Sequence, residues 1–417
     1  MTKKAAVVGA GISGLYACWL LEKQGYSVYL YEKSDAIGGR MRSEKKSGFI
    51  LDRGFHVLQT GYPLASEQFD YDAMGCQAFE PGALIIKPHE KNPKIWQFTD
   101  PFRRPIKGIF GAFSLFTSPL NLLRVGLLRI KLGRKEDSEL FQKESQTTLD
   151  YLLSKGFSQP FIDRFFSPLF GGIFLETELR TDSRMFDFVF KNMSRGNMVL
   201  PKDGIMACPQ QLFNRLTNTT LKLNANVSCI DSKTISDGNN VQDFDIVVRA
   251  FAPANSSPTR GVWTIHFAAP KSPLRGNYIM LNSSLKSSNS LISHLAVPSD
   301  IQPSYAPSDQ SLITVTVVGE DATKQGLTSK QAIEESVIKE LSLWFPGQVD
   351  EWSVLEVQYI ESALPEFSGK HFDNLANLTG DNICGDSTYH ASVEGALISA
   401  QRVIDNLVKN GPQDIGK

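Results

Sequence analysis

Three glycines, Gly9, Gly11 and Gly14, stand in G-x-G-x-x-G spacing near the start of the chain, and an acid, Glu32, follows eighteen residues after the third. Each glycine has a separate task in holding a dinucleotide. Gly9 permits a tight turn, Gly11 lets backbone approach a pyrophosphate, and Gly14 lets a helix lie close on a sheet. A carboxylate at Glu32 is placed to accept hydrogen bonds from a ribose diol. Such a site needs a strand before the turn, a helix after it and a second strand that ends at the acid. Ala5 to Val8 read as the first strand, about Gly11 to Gln24 as the helix, and Tyr26 to Glu32 as the second strand. Ile12 and Ser13 then open a helix whose free N–H groups and positive dipole end face the phosphates. The plainer reading is a glycine-rich turn in an ordinary βαβ unit. The strand, helix, strand and acid in order favour the dinucleotide.

The next segment continues the argument, because NAD and FAD share the first thirty residues of such a site. It reads Lys33-Ser34-Asp35-Ala36-Ile37-Gly38-Gly39-Arg40-Met41-Arg42. Paired glycines let backbone lie against a ligand, and the planar guanidinium fork of Arg40 or Arg42 suits phosphate. In isolation the two arginines would be a solvated turn; one loop after a dinucleotide fold, the phosphate role is favoured. A NADP-dependent dehydrogenase would want a basic residue where Glu32 stands. At the other end of the chain, Asn382 to Cys384 read as a short strand, Gly385-Asp386 as a turn, and about Ser392 to Lys409 as a helix. Val393, Leu397, Ala400, Ile404 and Leu407 share the buried side of that helix.

These motifs resemble the superfamily of flavin-containing amine oxidases, protoporphyrinogen oxidases and phytoene desaturases. The likeness rests on the G-x-G-x-x-G, on the E-K-x-x-x-x-G-G-R run from Glu32 and Lys33 to Gly39 and Arg40, and on Asp52-Arg53-Gly54-Phe55-His56. It continues at Pro201-Lys202-Asp203-Gly204, Ala363-Leu364-Pro365, Gly385-Asp386 and Ser392-Val393-Glu394-Gly395-Ala396. The resemblance implies FAD as cofactor and an α/β fold: a Rossmann-like FAD-binding domain with a parallel sheet and an inserted α+β substrate domain. It implies that Gly54, Phe55 and His56 lie beside the isoalloxazine and that backbone at Val227 meets the adenine. It also implies that Asp386 binds the ribityl or pyrophosphate part and that the helix start at Val393 faces the flavin C2 carbonyl. The reaction implied is hydride transfer from a substrate C–H or N–H bond to flavin N5, with electrons passed on to oxygen or a quinone.

With 417 residues the chain is too long for one core. The expected cofactor domain is discontinuous, comprising 1–80, 195–255 and 355–417, and 81–194 with 256–354 form the substrate domain. The first insert reads as mostly helical (Glu139 to Leu153, Gln159 to Leu169). The second carries strands at Gly261–Ala268, Tyr278–Leu281 and Leu312–Val318, then a helix at Lys330–Trp344. Leu221 to Ile230 read as a further cofactor-domain strand. A net charge of −1 leaves no positive field for nucleic acid. The five cysteines are scattered, which argues against a disulfide framework or a zinc site, so no metal is expected, and fits a reducing cytoplasm. The first residues leave no room for a secretory signal before the strand.

Residues 101–135 hold eight basic side chains and no acid, and Gly108 to Leu123 hold no charge. Sixteen residues are too few to span a bilayer, which takes about 20. The run reads as a helix pair lining the substrate cavity with its basic side in water; the second reading is peripheral membrane contact, with Phe110, Phe113, Phe116 and Leu120 inserted. Few side chains need take part in flavin chemistry. His56 is the catalytic candidate after the Asp52-x-Gly54 strand, its alternative being a satisfied turn histidine. Tyr389, between Asp386 and the last helix, is the second, with His390 beside it as an equal alternative; Tyr62 is the weaker of the two tyrosines. The 26 phenylalanines favour an apolar cavity. A hydrophobic, isoprenoid or carotenoid-like substrate is the first choice, an amine or a porphyrinogen the second. The Rab GDP-dissociation inhibitor group binds prenylated proteins on a related architecture without redox chemistry, and a binder of that kind could dispense with Gly11, Glu32, Arg40 and Asp386.

Overall fold

The computed structural model describes residues 2–100, 103, 118–252, 258–286, 290–367, 369–373 and 382–410. In chain order its main elements are β1 (Lys4–Val8), α1 (Ile12–Lys23), β2 (Ser27–Tyr31), β3 (Ser43–Lys46), β4 (Phe49–Asp52), α2 (Pro63–Gln68), β5 (Gly82–Lys87) and β6 (Lys94–Thr99). There follow α3 (Pro119–Gly133), α4 (Ser167–Phe174), α5 (Ser183–Arg195), β7 (Thr219–Lys222), β8 (Ile246–Arg249), β9 (Thr259–Ala269), β10 (Ile279–Asn282) and β11 (Ile292–Ala296). The chain closes with β12 (Ser311–Val318), α6 (Lys330–Trp344), β13 (Ser353–Pro365) and α7 (Val393–Asn410).

Ala5, Ala6 and Val7 are buried on both faces of β1, as an apolar run at the centre of a parallel sheet should be. That sheet has the order β7-β2-β1-β8 and is parallel throughout. On one side α1 and α7 pack together, with Leu15, Cys18 and Leu21 in one cluster with Leu397, Ala400 and Ile404. On the other side a three-stranded meander of residues 228–243 buries Ile235 against Ala6, Val8 and Val247. The strand expected over Leu221 to Ile230 is in fact two pieces. β7 ends at Lys222, Asn224 turns into the left-handed region (φ 53°), and pairing resumes at Ser228. The break has a cause: the N–H groups of Asn224 and Ala225 donate to the carbonyls of Ser34 and Glu32, which draws this segment over the acid.

The second sheet runs β13-β9-β12-β11-β10-β5-β6, antiparallel except between β10 and β5. Its two faces follow the period of two. Trp263, Ile265, Phe267, Val315 and Val317 form one core with Ile333, Val337 and Leu341 of α6. Thr264, His266, Thr314 and Thr316 point to the opposite face, where His266 Nε2 lies 3.2 Å from the Asp52 carbonyl. Two strands of this sheet, β5 and β6, come from the insert that reads as mostly helical, and β13 brings residues 353–365 into it from the segment grouped with the cofactor half. The helix expected over Glu139 to Leu153 is two short ones, Asp137–Leu140 and Thr148–Ser154. Thr147 restarts the second, its side chain accepting from the Asp150 N–H at 3.0 Å. Phe165, Phe166, Phe170, Phe186 and Phe188 fill the core of this helical layer, which lies against β5 and β10. Among the described residues no helix is long and apolar enough to cross a membrane. Phe110, Phe113 and Phe116 lie outside the described residues.

Candidate functional site

The glycine turn is built tightly on one side and open on the other. A Cβ on Gly14 would sit 1.9 Å from the Gly9 carbonyl oxygen, so α1 can enter at this angle only without a side chain there. A Cβ on Gly11 would meet nothing within 4 Å. No side chain caps the start of α1, where Ile12 and Ser13 are buried, and helix-start N–H groups there lack intrahelical partners. Glu32 closes the turn from the far side. Its carboxylate accepts from Ala10 N–H at 2.8 Å and from the Ser34 N–H and hydroxyl at 2.9 and 2.7 Å. A carboxylate offers about four acceptor sites, so capacity remains for one ligand hydroxyl. Lys33 beside it is exposed. Val227 lies on the meander side, in a groove of about 370 Å³ shared with Tyr31, Lys222 and Gln242.

Gly39 meets Gly11 across the crevice, its Cβ position 3.4 Å from the Gly11 Cα. Arg40 follows and joins three distant segments: it donates to Asp386 at 2.6 Å and to the Ala363 carbonyl at 2.7 Å. Arg42 is turned aside to Asp35 at 3.0 Å. Gly385 occupies φ +142°, a backbone state closed to other residues, and donates its N–H to Ser399 of α7 at 2.8 Å. The start of α7 is fixed from two directions. Ser392 accepts from the Gly395 N–H at 3.0 Å, and Glu394 accepts from the Leu64 and Ala65 N–H groups, capping α2. Val393 opens the helix, half-buried.

Asp52 locks the strand that delivers Gly54, Phe55 and His56. Its carboxylate accepts from Ser43 at 2.6 Å, Ile205 N–H at 3.0 Å and Tyr305 at 2.8 Å, and burial raises its pKa. A small cleft beneath Gly54 and His56 is lined by Asp52, Tyr305, His266 and Thr314. His56 Nε2 lies 2.8 Å from the Arg53 carbonyl, and burial holds its pKa below the usual value. Donation from Nε2 to that carbonyl leaves Nδ1 as the acceptor.

Tyr389 and His390 lie in an aromatic cluster. The Phe141 ring is parallel to His390 within 7° at 5.3 Å, Phe188 is 4.5 Å from His390, and Tyr62 stacks on Phe188 at 5.4 Å. Arg402 sits over the Tyr389 ring at 4.3 Å. His390 is fully buried with Nε2 unpartnered, and burial pushes its pKa down to about 3. It is therefore neutral at ordinary pH. Gly395 makes room for it, since a Cβ there would sit 2.0 Å from the His390 carbonyl oxygen.

The large sheet contributes a polar row. Thr264 is paired with Thr316, and Thr316 with His294, on three neighbouring strands. All three are buried, and among the described residues Thr264 Oγ1, Thr316 Oγ1 and both His294 ring nitrogens find no hydrogen-bond partner. The row continues to Gln358, which accepts from the Gly54 N–H at 3.3 Å, and Phe55 lies 5.1 Å from the His294 ring. Burial pushes His294 and His266 down to about 4.

The family model for flavin containing amine oxidoreductases matches residues 12–407. The chain belongs to this family. Its membership makes FAD the cofactor. Protoporphyrinogen oxidase 2 of Arabidopsis thaliana is 26% identical over 41% of this chain and 32% of its own length. The 4,4'-diapophytoene desaturase of Staphylococcus aureus is 47% identical over 12% of this chain and 10% of its own. The chain thus matches a third or less of the length of these relatives. An oxidoreductase from Methanosarcina mazei shares the fold, with TM-score 0.75, 18% identity, and cover of 96% of this chain and 100% of that one.

Three observations suit a flavin dinucleotide in this member of the family. The space beyond Gly11 is open, the start of α1 is uncapped, and Arg40 stands with its fork beside the crevice. Sequence motifs brought together Gly11, Glu32, Gly39, Arg40, Gly385 and Asp386. They included Glu394 in a motif without giving it a role, and did not single out Phe141 and Phe188, or the row of Thr264, Thr316 and His294. A signal for the row was present in Trp-Thr-Ile-His-Phe and Thr-Val-Thr-Val, where polar and apolar residues alternate on strands too apolar to face water.

Proposed function

We propose that this flavin-dependent oxidoreductase oxidises or desaturates a hydrophobic small molecule, and that Gly9, Gly11, Ile12, Ser13, Gly14, Glu32, Arg40, Asp386 and the start of α7 at Val393 hold its FAD. The aromatic cluster of Tyr62, Phe141, Phe188, Tyr389 and His390 carries this reading. It adjoins the Gly385–Asp386 turn and offers a lipophilic molecule ring faces rather than charges. The bound flavin supplies the hydride acceptor, and oxygen or a quinone the final one. The protein's part is to exclude water, orient the reacting C–H bond and keep His390 and His294 neutral. Tyr389 is assigned a place against the substrate, and His56, tied to the Arg53 carbonyl, a place beside the ring. The geometry supports a positioning role for His56 better than proton transfer.

A second reading has its own support. The unpartnered hydroxyls of Thr264 and Thr316 and the neutral ring of His294 suit a substrate with an uncharged N–H or O–H group, such as a free amine or a porphyrinogen pyrrole. Anaerobic mixing of the FAD-loaded protein with carotenes, porphyrinogens and amines separates the two. Bleaching by the hydrocarbon alone supports the first, and bleaching by N–H compounds alone the second. A colourless protein that ignores added FAD refutes both.

A further inference from the structure

The helix α3 turns its apolar side outwards. Leu120, Leu123, Leu127 and Ile130 are 51%, 59%, 57% and 46% exposed, at spacings of three, four and three residues, so they form one stripe along the solvent face. The opposite face is apolar as well: Leu128 and Leu132 are buried in the cluster that holds Phe141 and Phe188. A helix apolar on both sides in a globular protein has a second contact to make. Its position is not loose, because Arg129 donates to Asp100 and to the Ser194 carbonyl.

The charges beside the stripe say what the contact is. From Pro119 to Lys135 the chain carries Arg124, Arg129, Lys131, Arg134 and Lys135 and no acid; Glu136, Asp137 and Glu139 come only after the helix has ended. Lys131 and Arg134 are exposed beside Ile130. Leucines at a helix surface flanked by long basic side chains match the two layers of a lipid surface, acyl chains below and anionic phosphates at the level of the cations. A protein partner would need acidic groups ringing an apolar groove. The lipid offers both layers at once.

We propose that α3 seats this protein on an anionic membrane surface, with Leu120, Leu123, Leu127 and Ile130 in the acyl boundary and Lys131 and Arg134 at the phosphates. The contact is one-sided and leaves the chain outside the bilayer. Because the inner side of α3 belongs to the cluster around Phe141 and Phe188, the seat also sets the aromatic site one helix away from the lipid.

The test uses the full chain loaded with FAD, sedimented with vesicles of phosphatidylcholine and phosphatidylglycerol in equal parts and with vesicles of phosphatidylcholine alone. The expected result is at least tenfold stronger partition onto the anionic vesicles at low salt, falling as salt rises. Leu123→Glu with Leu127→Glu should lower it at least tenfold, and Lys131→Glu with Arg134→Glu should abolish the preference for anionic lipid; both variants should keep flavin absorbance. Leu123→Trp serves as a gentler probe, its fluorescence shifting to the blue when anionic vesicles are added. Wild-type protein that stays in the supernatant at low salt overturns the proposal. So does equal binding by the Leu123→Glu, Leu127→Glu variant, or an unshifted Leu123→Trp spectrum. A wild-type dimer in light scattering that the same double variant converts to monomer would give the stripe to a second copy, and this too overturns it.

Discussion

Around Glu32, Arg40 and Asp386 the chain supplies partners for its own charges: Glu32 accepts from Ala10 and Ser34, and Arg40 bridges Asp386 and the Ala363 carbonyl. Around Thr264, Thr316 and His294 four buried polar atoms have none among the described residues. Leaving a buried donor or acceptor unmet costs about 1–3 kcal/mol each. The charged groups of the first set are therefore matched, and the row carries a deficit that a ligand or trapped water would meet. Matched charge and unmet valence are different uses of buried polarity.

Four experiments bear on that contrast. The largest effect is expected from Gly14→Val, which drives a side chain into the Gly9 carbonyl. Overpacking against backbone should cost about 3 kcal/mol or more, read as a lowered urea midpoint with loss of flavin absorbance. Unchanged flavin content would mean the turn is not as tight as described. Next is acid. His294 and His266 lie near 4 in the folded protein against an unfolded value of 6.5, so the unfolded chain binds more protons between those values. Stability is complete above pH 6.5 and falls towards pH 4, by up to about 3 kcal/mol for each residue. Urea midpoints measured across that range should flatten in His294→Gln; an unaltered slope would show that the row is hydrated. Third, Asp386→Ala removes Arg40's partner and should weaken FAD retention about 10- to 100-fold, by equilibrium dialysis, with Asp386→Asn falling between. The smallest effect is the most pointed: Thr264→Val or Thr316→Val, near-isosteric, should raise stability by about 1 kcal/mol while slowing flavin bleaching by whichever substrate carries a polar group. Loss of stability instead would place the hydroxyls in a network and remove the contrast.

The same division explains what could be read before any coordinates. Gly9, Gly11, Gly14, Glu32 and Asp386 are legible because each answers a local demand of turn, approach or capping that fixes residue type and spacing. The helices at Lys330–Trp344 and Val393–Asn410 declare themselves by period. Leu221–Ile230 misleads, since the break at Asn224 is forced by carbonyls of residues 32 and 34, nearly two hundred positions earlier. Strands β5 and β6 pair as a local hairpin but hide in an insert of helical texture, because β5 meets its other neighbour, β10, only at Ile279. The row from Thr264 to His294 exists only once three strands are in register, and its alternation is the sole local trace. Phe141 and Phe188 look like any other core phenylalanine until Gly395 brings His390 between them.

The bond from Arg40 to Asp386 spans 346 positions. During synthesis the first strand, the glycine turn and Glu32 emerge well before the acid that completes the clamp and the helix behind it. Domains take shape from the N-terminus at about 5–20 residues per second, so the nascent chain spends about 20–70 seconds with half a binding site. If these residues hold the cofactor as proposed, its capture waits until Asp386 and the helix behind it have been made.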